Sequence, residues 1–328
     1  MQVDCKRFFL GAVDVLDDPR GLLPSRFTPA MRAFYGDTEA RVIRANSPTG
    51  VRIAMMTDSP SVRIRVAYGR AAREKFALSI RIDDDSAWLC APAQPRAASG
   101  DFRIGLPAGR HRVEIGLPHL VETFVESVDI VDGAHAEPVP AAGGRMLFVG
   151  DSIMQGMTTE ALCRSYFDIV ARGLSCDYVN ISVGGATAVA GLGECLSGYS
   201  DWDMALVSFG TNDCSQNRPL AEYVAGLAAI FGALHRHGRG KLCLLTTVPR
   251  PAQEGKPNAI GLTLDDYRQV AKALQGQFPA LIVLDGPAVL PAEERLLADG
   301  IHPNDAGSAV MARNILAALA VAREAQQA

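Results

Sequence analysis

The hydrophobic pattern of this 328-residue chain changes period near residue 140, and that change limits the fold more than any other feature. Upstream, apolar and polar residues alternate in Val62-Arg63-Ile64-Arg65-Val66, Leu78-Ser79-Ile80-Arg81-Ile82 and Val113-Glu114-Ile115, separated by turn signals such as Asp58-Ser59-Pro60, Asp83-Asp84-Asp85 and Ala108-Gly109. A period of two belongs to strands with one buried face, and short strands at this spacing predict an antiparallel β-sandwich. The stretch Ala134 to Gly144, rich in Ala, Pro and Gly, is expected to be a linker. Residues 1–140 and 141–328 are therefore expected to form two domains, each long enough to bury its own core.

Downstream, short apolar runs alternate with longer amphipathic segments. The runs are Met146 to Val149, Tyr178 to Ile181, Met204 to Phe209, Leu242 to Thr246 and Leu281 to Leu284. The amphipathic segments are Tyr166 to Leu174, Leu220 to His235, Leu264 to Gln277 and a final helix from Asp305 to Ala325, which Asn304 or Asp305 can cap. Such alternation predicts an α/β domain, a parallel sheet covered by helices on both faces. Ligands of these sheets sit beyond the carboxyl ends of the strands. Ser152, the glycines after Ile181, and Asn212 all follow predicted strands and fall on that edge.

Composition excludes several classes. Lys and Arg number 32 against 36 Asp and Glu, so no electrostatic reason exists to expect nucleic acid or an anionic membrane as partner. No stretch is expected to span a membrane, and the first residues lack the order of a secretory signal, which predicts a cytoplasmic protein. Seven scattered cysteines without a CxxC pair predict neither disulfides nor zinc; they are expected to be reduced, buried small hydrophobes, with Cys214 near a pocket. His235 and His237 are expected to close a helix before Gly238, where a cation suits the helix dipole. His111, His119 and His135 have no ligand partners at usable spacing, and Asp83-Asp84-Asp85 lacks the glycine and distal glutamate of a calcium loop, so no metal or other cofactor is expected.

Three segments carry candidate chemistry. Gly150-Asp151-Ser152-Ile153 places a serine directly after a strand, and Asp299-Gly300-Ile301-His302 supplies a carboxylate and an imidazole three positions apart. Between them lies Gly210-Thr211-Asn212-Asp213. A serine hydroxyl needs a base to take its proton as it attacks an acyl carbon. His302 is the candidate base, and Asp299 can bend back in a tight turn to orient the ring and stabilise the imidazolium. Taken singly, each segment has a plainer reading: a helix cap at Ser152, a tight turn at Gly184-Gly185, a loop with side chain bonded to backbone at Asn212-Asp213, and a surface turn with an exposed imidazole at Asp299 and His302. Their joint order after successive strands is what those readings leave unexplained.

Gly-Asp-Ser at Ser152, Asn180-Ile181-Ser182-Val183-Gly184-Gly185, Gly210-Thr211-Asn212-Asp213 and Asp299-Gly300-Ile301-His302-Pro303 resemble, in order, the four blocks of the SGNH (GDSL) hydrolase family. The likeness extends over residues 145–320, including Val283-Leu284-Asp285 and Asn304-Asp305-Ala306-Gly307. It implies a metal-independent serine esterase with a Ser152, His302, Asp299 triad, and an oxyanion hole made of the Ser152 and Gly185 amides and the Asn212 side chain. Asp151, Gly184 and Asp213 would support the loops. A β-sandwich placed before such a domain is similar in architecture to the two-domain carbohydrate esterases of family two, in which a jelly-roll precedes the hydrolase domain. That likeness implies removal of acetyl or another short acyl group from an acylated sugar, with the first domain helping to shape the site. Rival readings of the same residues are a thioesterase, a lysophospholipase or an acyltransferase, and a glycan-binding protein with a relic site. Nothing in the sequence fixes the oligomeric state.

Overall fold

The structure, a computed structural model, describes residues 1–83, 85–92, 96–140, 143–237 and 240–325. Asp84 of the acidic turn, Ala141 and Ala142 of the expected linker, Gly238 and the side chain of His237 lie outside the described residues. The chain divides into two compact units, Met1–Ala142 with Glu160–Cys163, and Gly143–Thr159 with Arg164–Ala328.

The first unit is a sandwich of two antiparallel sheets. One runs in the order Phe9–Leu10, Arg52–Thr57, His111–Gly116, Leu78–Ile82, Trp88–Cys90; the other runs Asp14–Asp18, Gly21–Ser25, Val121–Ile130, Ser61–Ala71, Ser99–Gly105. Alternation explains the sandwich residue by residue. Val62, Ile64 and Val66 enter one core with Ile53, Met55, Ile80, Val113 and Ile115, while Arg63 between them points outward to Asp101 at 2.5 Å. The expected linker is not wholly a linker: Ala136–Pro138 is an edge strand pairing with Met55, Met56 and Thr57. Proline is tolerated there because an edge strand leaves one row of amides unpaired. Helices Pro29–Phe34 and Glu39–Asn46 also interrupt the sandwich. Asp83 does not sit free in solvent, since it accepts from the Arg112 amide at 2.8 Å and pairs with His111 at 2.7 Å.

The second unit has the expected α/β form. Its strands Arg145–Gly150, Asp177–Asn180, Met204–Ser208, Lys241–Leu245 and Ile282–Leu284 are all parallel and lie in the order 2-1-3-4-5. In this arrangement the chain leaves the first strand in one direction and returns for the third on the other side, opening a crevice between the carboxyl ends of strands one and three. Ser152 and Asn212 follow those two strands. Helices Ala190–Leu196 and Leu220–His237 cross at backbone contact, and a Cβ on Gly226 would collide with the Ala188 carbonyl.

The last helix, Asp305–Ala325, is long and apolar enough by length and composition to cross a membrane, contrary to the expectation that no stretch approaches a span. Its apolar surplus has a local cause. Ser308, Met311, Ala312, Ile315 and Leu319 form a buried stripe at helical spacing, so the residues raising its hydropathy include those packed inward. Asn304 caps it, its Oδ1 accepting from Gly307 at 2.9 Å and its carbonyl from Ser308 at 2.7 Å. None of the seven cysteines forms a disulfide; Cys5, Cys214 and Cys243 are buried, but Cys90, Cys163, Cys176 and Cys195 are only half-buried.

Candidate active site

The first strand ends at Gly150, where glycine is required because a side chain would press on the Ser208 carbonyl, 2.6 Å from the Cβ position. The chain then turns rather than entering a helix, so Ser152 is not a helix cap. Its carbonyl accepts from Met157 at 3.1 Å, Asp151's from Gln155 at 2.9 Å, and the side chain of Asp151 accepts from the Ile153 amide at 2.9 Å. Ser152 is 7% exposed and faces His302 across 2.8 Å between Oγ and Nε2.

The other ring nitrogen, Nδ1, lies 2.8 Å from Asp299 Oδ2 and 3.1 Å from Oδ1. A four-residue turn makes this possible. Gly300 takes φ +78°, which lets the Asp299 carboxylate reach back to accept from the Ile301 and His302 amides at 3.2 and 2.9 Å. Partial burial works to raise the Asp299 pKa, but these amides and the ring more than offset it and hold the carboxyl below its ordinary value. Asp299 is thus a permanent anion near neutrality, which fixes the proton on Nδ1 and leaves the Nε2 lone pair for the Ser152 hydroxyl. Thr158 ties the two loops together by donating to the Pro303 carbonyl at 2.8 Å.

The three expected donors of an oxyanion hole are in a telling state. The amides of Ser152 and Gly185 have no hydrogen-bond partner among the described residues. By contrast, the amide of Gly184 donates to Gln155 Oε1 at 2.8 Å. Gly185, at φ +82°, is therefore the glycine with an amide to spare. Asn212 uses one Nδ2 hydrogen on the Ala186 carbonyl at 2.9 Å, which fixes the orientation of its amide and leaves the second hydrogen available.

Two buried carboxylates lie beneath these loops. Asp213 accepts from the Ala188 amide at 3.2 Å and from Arg218 at 2.5 Å, and Arg218 also donates to the Ala188 carbonyl at 2.6 Å. Burial nevertheless pushes Asp213 up to about 6, against the pull of Arg218. Burial, reinforced by the charge of Asp213, pushes Asp151 up to about 7 in spite of its backbone donors. Gln155, Thr158 and Arg218 escaped the sequence reading. Each acts through a partner in a separate loop or at i−5, a spacing that carries no periodic signal.

Several known proteins share this framework. Residues 148–310 match the GDSL-like Lipase/Acylhydrolase family. The whole chain is similar to a salicylyl-acyltransferase, SsfX3, from a tetracycline biosynthetic pathway, at 22% identity and TM-score 0.82, covering 95% of this chain and 94% of that one. It is also similar to a family two carbohydrate esterase from Cellvibrio japonicus (16% identity, TM-score 0.63, 84% and 90% covered). An acetyl xylan esterase from the rumen bacterium Butyrivibrio proteoclasticus shows 14% identity and TM-score 0.58, with 82% and 89% covered. At these identities the likeness is one of fold. No curated protein matches the chain by sequence.

Proposed function

We propose, from the match of residues 148–310 to the GDSL-like lipase/acylhydrolase family, that the protein is a serine esterase working through an acyl-enzyme on Ser152. The observation that carries the proposal is the unbroken relay Ser152 Oγ, His302, Asp299, with contacts of 2.8 Å at both joints. His302 takes the hydroxyl proton as Ser152 Oγ attacks the ester carbonyl carbon. The same proton is then delivered to the departing alcohol oxygen, breaking the ester bond. In the second half, His302 draws a proton from water, the resulting hydroxide attacks the acyl carbon, and Ser152 recovers its proton as the acid leaves. Asp299 orients the imidazole and stabilises its cation. Negative charge on the carbonyl oxygen in both tetrahedral stages is met by the Ser152 and Gly185 amides and the spare hydrogen of Asn212.

The substrate we favour carries acetyl or another short acyl group on a carbohydrate. Fold similarity to carbohydrate esterases and to an acetyl xylan esterase supports this reading. A second reading, transfer of the acyl group to an alcohol other than water, draws on the near-complete mutual coverage with the salicylyl-acyltransferase. The test is hydrolysis of an aryl acetate by the native chain and by Ser152→Ala, followed by a panel of acetylated sugars. The native chain is expected to release the phenol with a burst and the variant to be inert; full turnover by Ser152→Ala rejects the mechanism. Added alcohol acceptors that accelerate phenol release and appear acylated in the products would select the transferase reading.

A further inference from the structure

A cavity of about 440 Å³ lies in the α/β domain between the end of the short helix Thr211–Ser215 and the loop that follows the fourth strand. Its wall includes Ser215, Arg250, Gln253, Lys256 and Asn258. Arg250 is 3% exposed. It donates to Ser215 Oγ at 2.6 Å, to the Thr211 carbonyl at 3.4 Å and to the side chain of Gln253, all uncharged acceptors, while its Nε has no partner among the described residues. The acid nearest in sequence, Glu254, is engaged elsewhere: Arg268 holds it at 2.7 and 2.9 Å, and toward Arg250 it meets only the backbone amide. Among the described residues no carboxylate forms an ion pair with Arg250. Lys256, exposed on the same wall, adds a second positive charge.

A buried guanidinium with no carboxylate in ion-pair contact is costly, because the pull of Glu254, which Arg268 holds, offsets its desolvation only in part. That cost is visible in its ionisation, since burial depresses the Arg250 pKa below the ordinary arginine value. An anion entering the cavity would restore the balance and meet hydrogen-bond donors already in place. Position gives the anion a role. Arg250 reaches the Thr211 carbonyl at 3.4 Å, so a group seated at the guanidinium lies beside the residue that precedes Asn212.

We infer that this cavity receives a carboxylate or phosphate borne on the alcohol half of the ester, making the preferred substrate the acyl ester of an acidic alcohol such as a sugar acid or sugar phosphate. The inference rests on the Ser152 esterase reading, in which the acyl group is short, so that the charge belongs on the alcohol. It narrows the carbohydrate class from neutral sugars to anionic ones.

The experiment compares kcat/KM for 4-acetoxybenzoate with that for 4-acetoxybenzamide, which share the acetyl group and the ring but differ in charge. The amide is the better leaving group, so intrinsic reactivity works against the expected result. A preference for the acid of about tenfold or more is expected from charge-assisted hydrogen bonds, and Arg250→Gln and Lys256→Gln should each shrink it. Because a change at buried Arg250 can unfold the chain, the native protein is also assayed on phenyl acetate with glucuronate and, separately, inorganic phosphate as competitors. Competition by glucuronate identifies a carboxylate site, and competition by phosphate alone a phosphate site. If the acid is not preferred and neither anion competes, while Ser152→Ala is inert on both esters, the anion site is refuted and the esterase reading stands. If Ser152→Ala retains full turnover, the esterase reading itself fails, and this inference with it.

Discussion

Replacing Asn212 by alanine tests the proposed oxyanion hole with little risk to the fold. The side chain makes one protein hydrogen bond, to the Ala186 carbonyl at 2.9 Å, and loss of such a bond costs about 1 kcal/mol. Its second hydrogen has no acceptor among the described residues, so removing it should be felt in the transition state. Loss of one preorganised donor costs about 3 to 4 kcal/mol there, or about two to three orders of magnitude in kcat, with KM little changed. Asn212→Asp supplies the control. It preserves shape but places an anionic oxygen where the spare hydrogen was, and should be worse than alanine. Steady-state hydrolysis of an aryl acetate, with urea unfolding to verify stability, separates the two effects. A fall in kcat of less than about fivefold for Asn212→Ala, in protein of native stability, would refute the role given to Asn212 and leave its contact with Ala186 as purely structural.

Further expectations concern the relay and the buried acids. Asp299→Asn should lower kcat by about four orders of magnitude, because an amide no longer dictates which ring nitrogen holds the proton; a loss below tenfold in the same aryl acetate assay would show the carboxylate to be dispensable. Gly185→Ala strains a residue at φ +82° by about 1 to 2 kcal/mol and should displace the donor amide, reducing kcat more than thermal stability; an unchanged kcat would move the donor elsewhere. Asp151, raised from 3.8 to about 7, makes the folded chain hold a proton that the unfolded chain releases above pH 4. Stability should therefore decline as pH rises from 4 to 7, by up to about 4 kcal/mol over three pH units. Asp151→Asn should flatten that slope in urea titrations, leaving the smaller contribution of Asp213 between 3.8 and about 6; an unaltered slope would mean that Asp151 is ionised throughout.

The five parallel strands were legible to within one residue at most ends because both faces of such strands are buried and the apolar run is continuous, as in Met146 to Val149. The proposed triad drew on a different signal: Ser152 directly follows a strand, whereas Asp299 and His302 lie well beyond the last strand and stand out by their chemistry and three-residue spacing alone. Elements stabilised by tertiary contact left weaker traces. Ala190–Leu196, with two glycines in seven residues, has poor helix propensity and is held by backbone contact with Leu220–His237. Ala136–Pro138 looks like linker because its only strand signal is the partner it pairs with. The sandwich helices were recoverable in principle, since Thr28 and Thr38 both accept from the third amide ahead, a capping pattern visible in sequence. The buried pairing of Asp213 with Arg218 arises where the chain turns out of the short helix Thr211–Ser215, and five residues of spacing carries no periodic signal for it.

Asn212 holds the Ala186 carbonyl, Asp213 the Ala188 amide, and Arg218 the Ala188 carbonyl, so the peptide just after Gly185 is grasped three times by the segment that carries Asn212. Two arms of the proposed hole, drawn from the loops after different strands, are thereby tied together. A mutation or inhibitor that displaces either arm must drag the other, and the geometry around the carbonyl oxygen should be lost all at once or not at all. Diversification toward new substrates is then confined to parts of the rim outside this graft, where loops can be exchanged while the charge-stabilising centre keeps its shape.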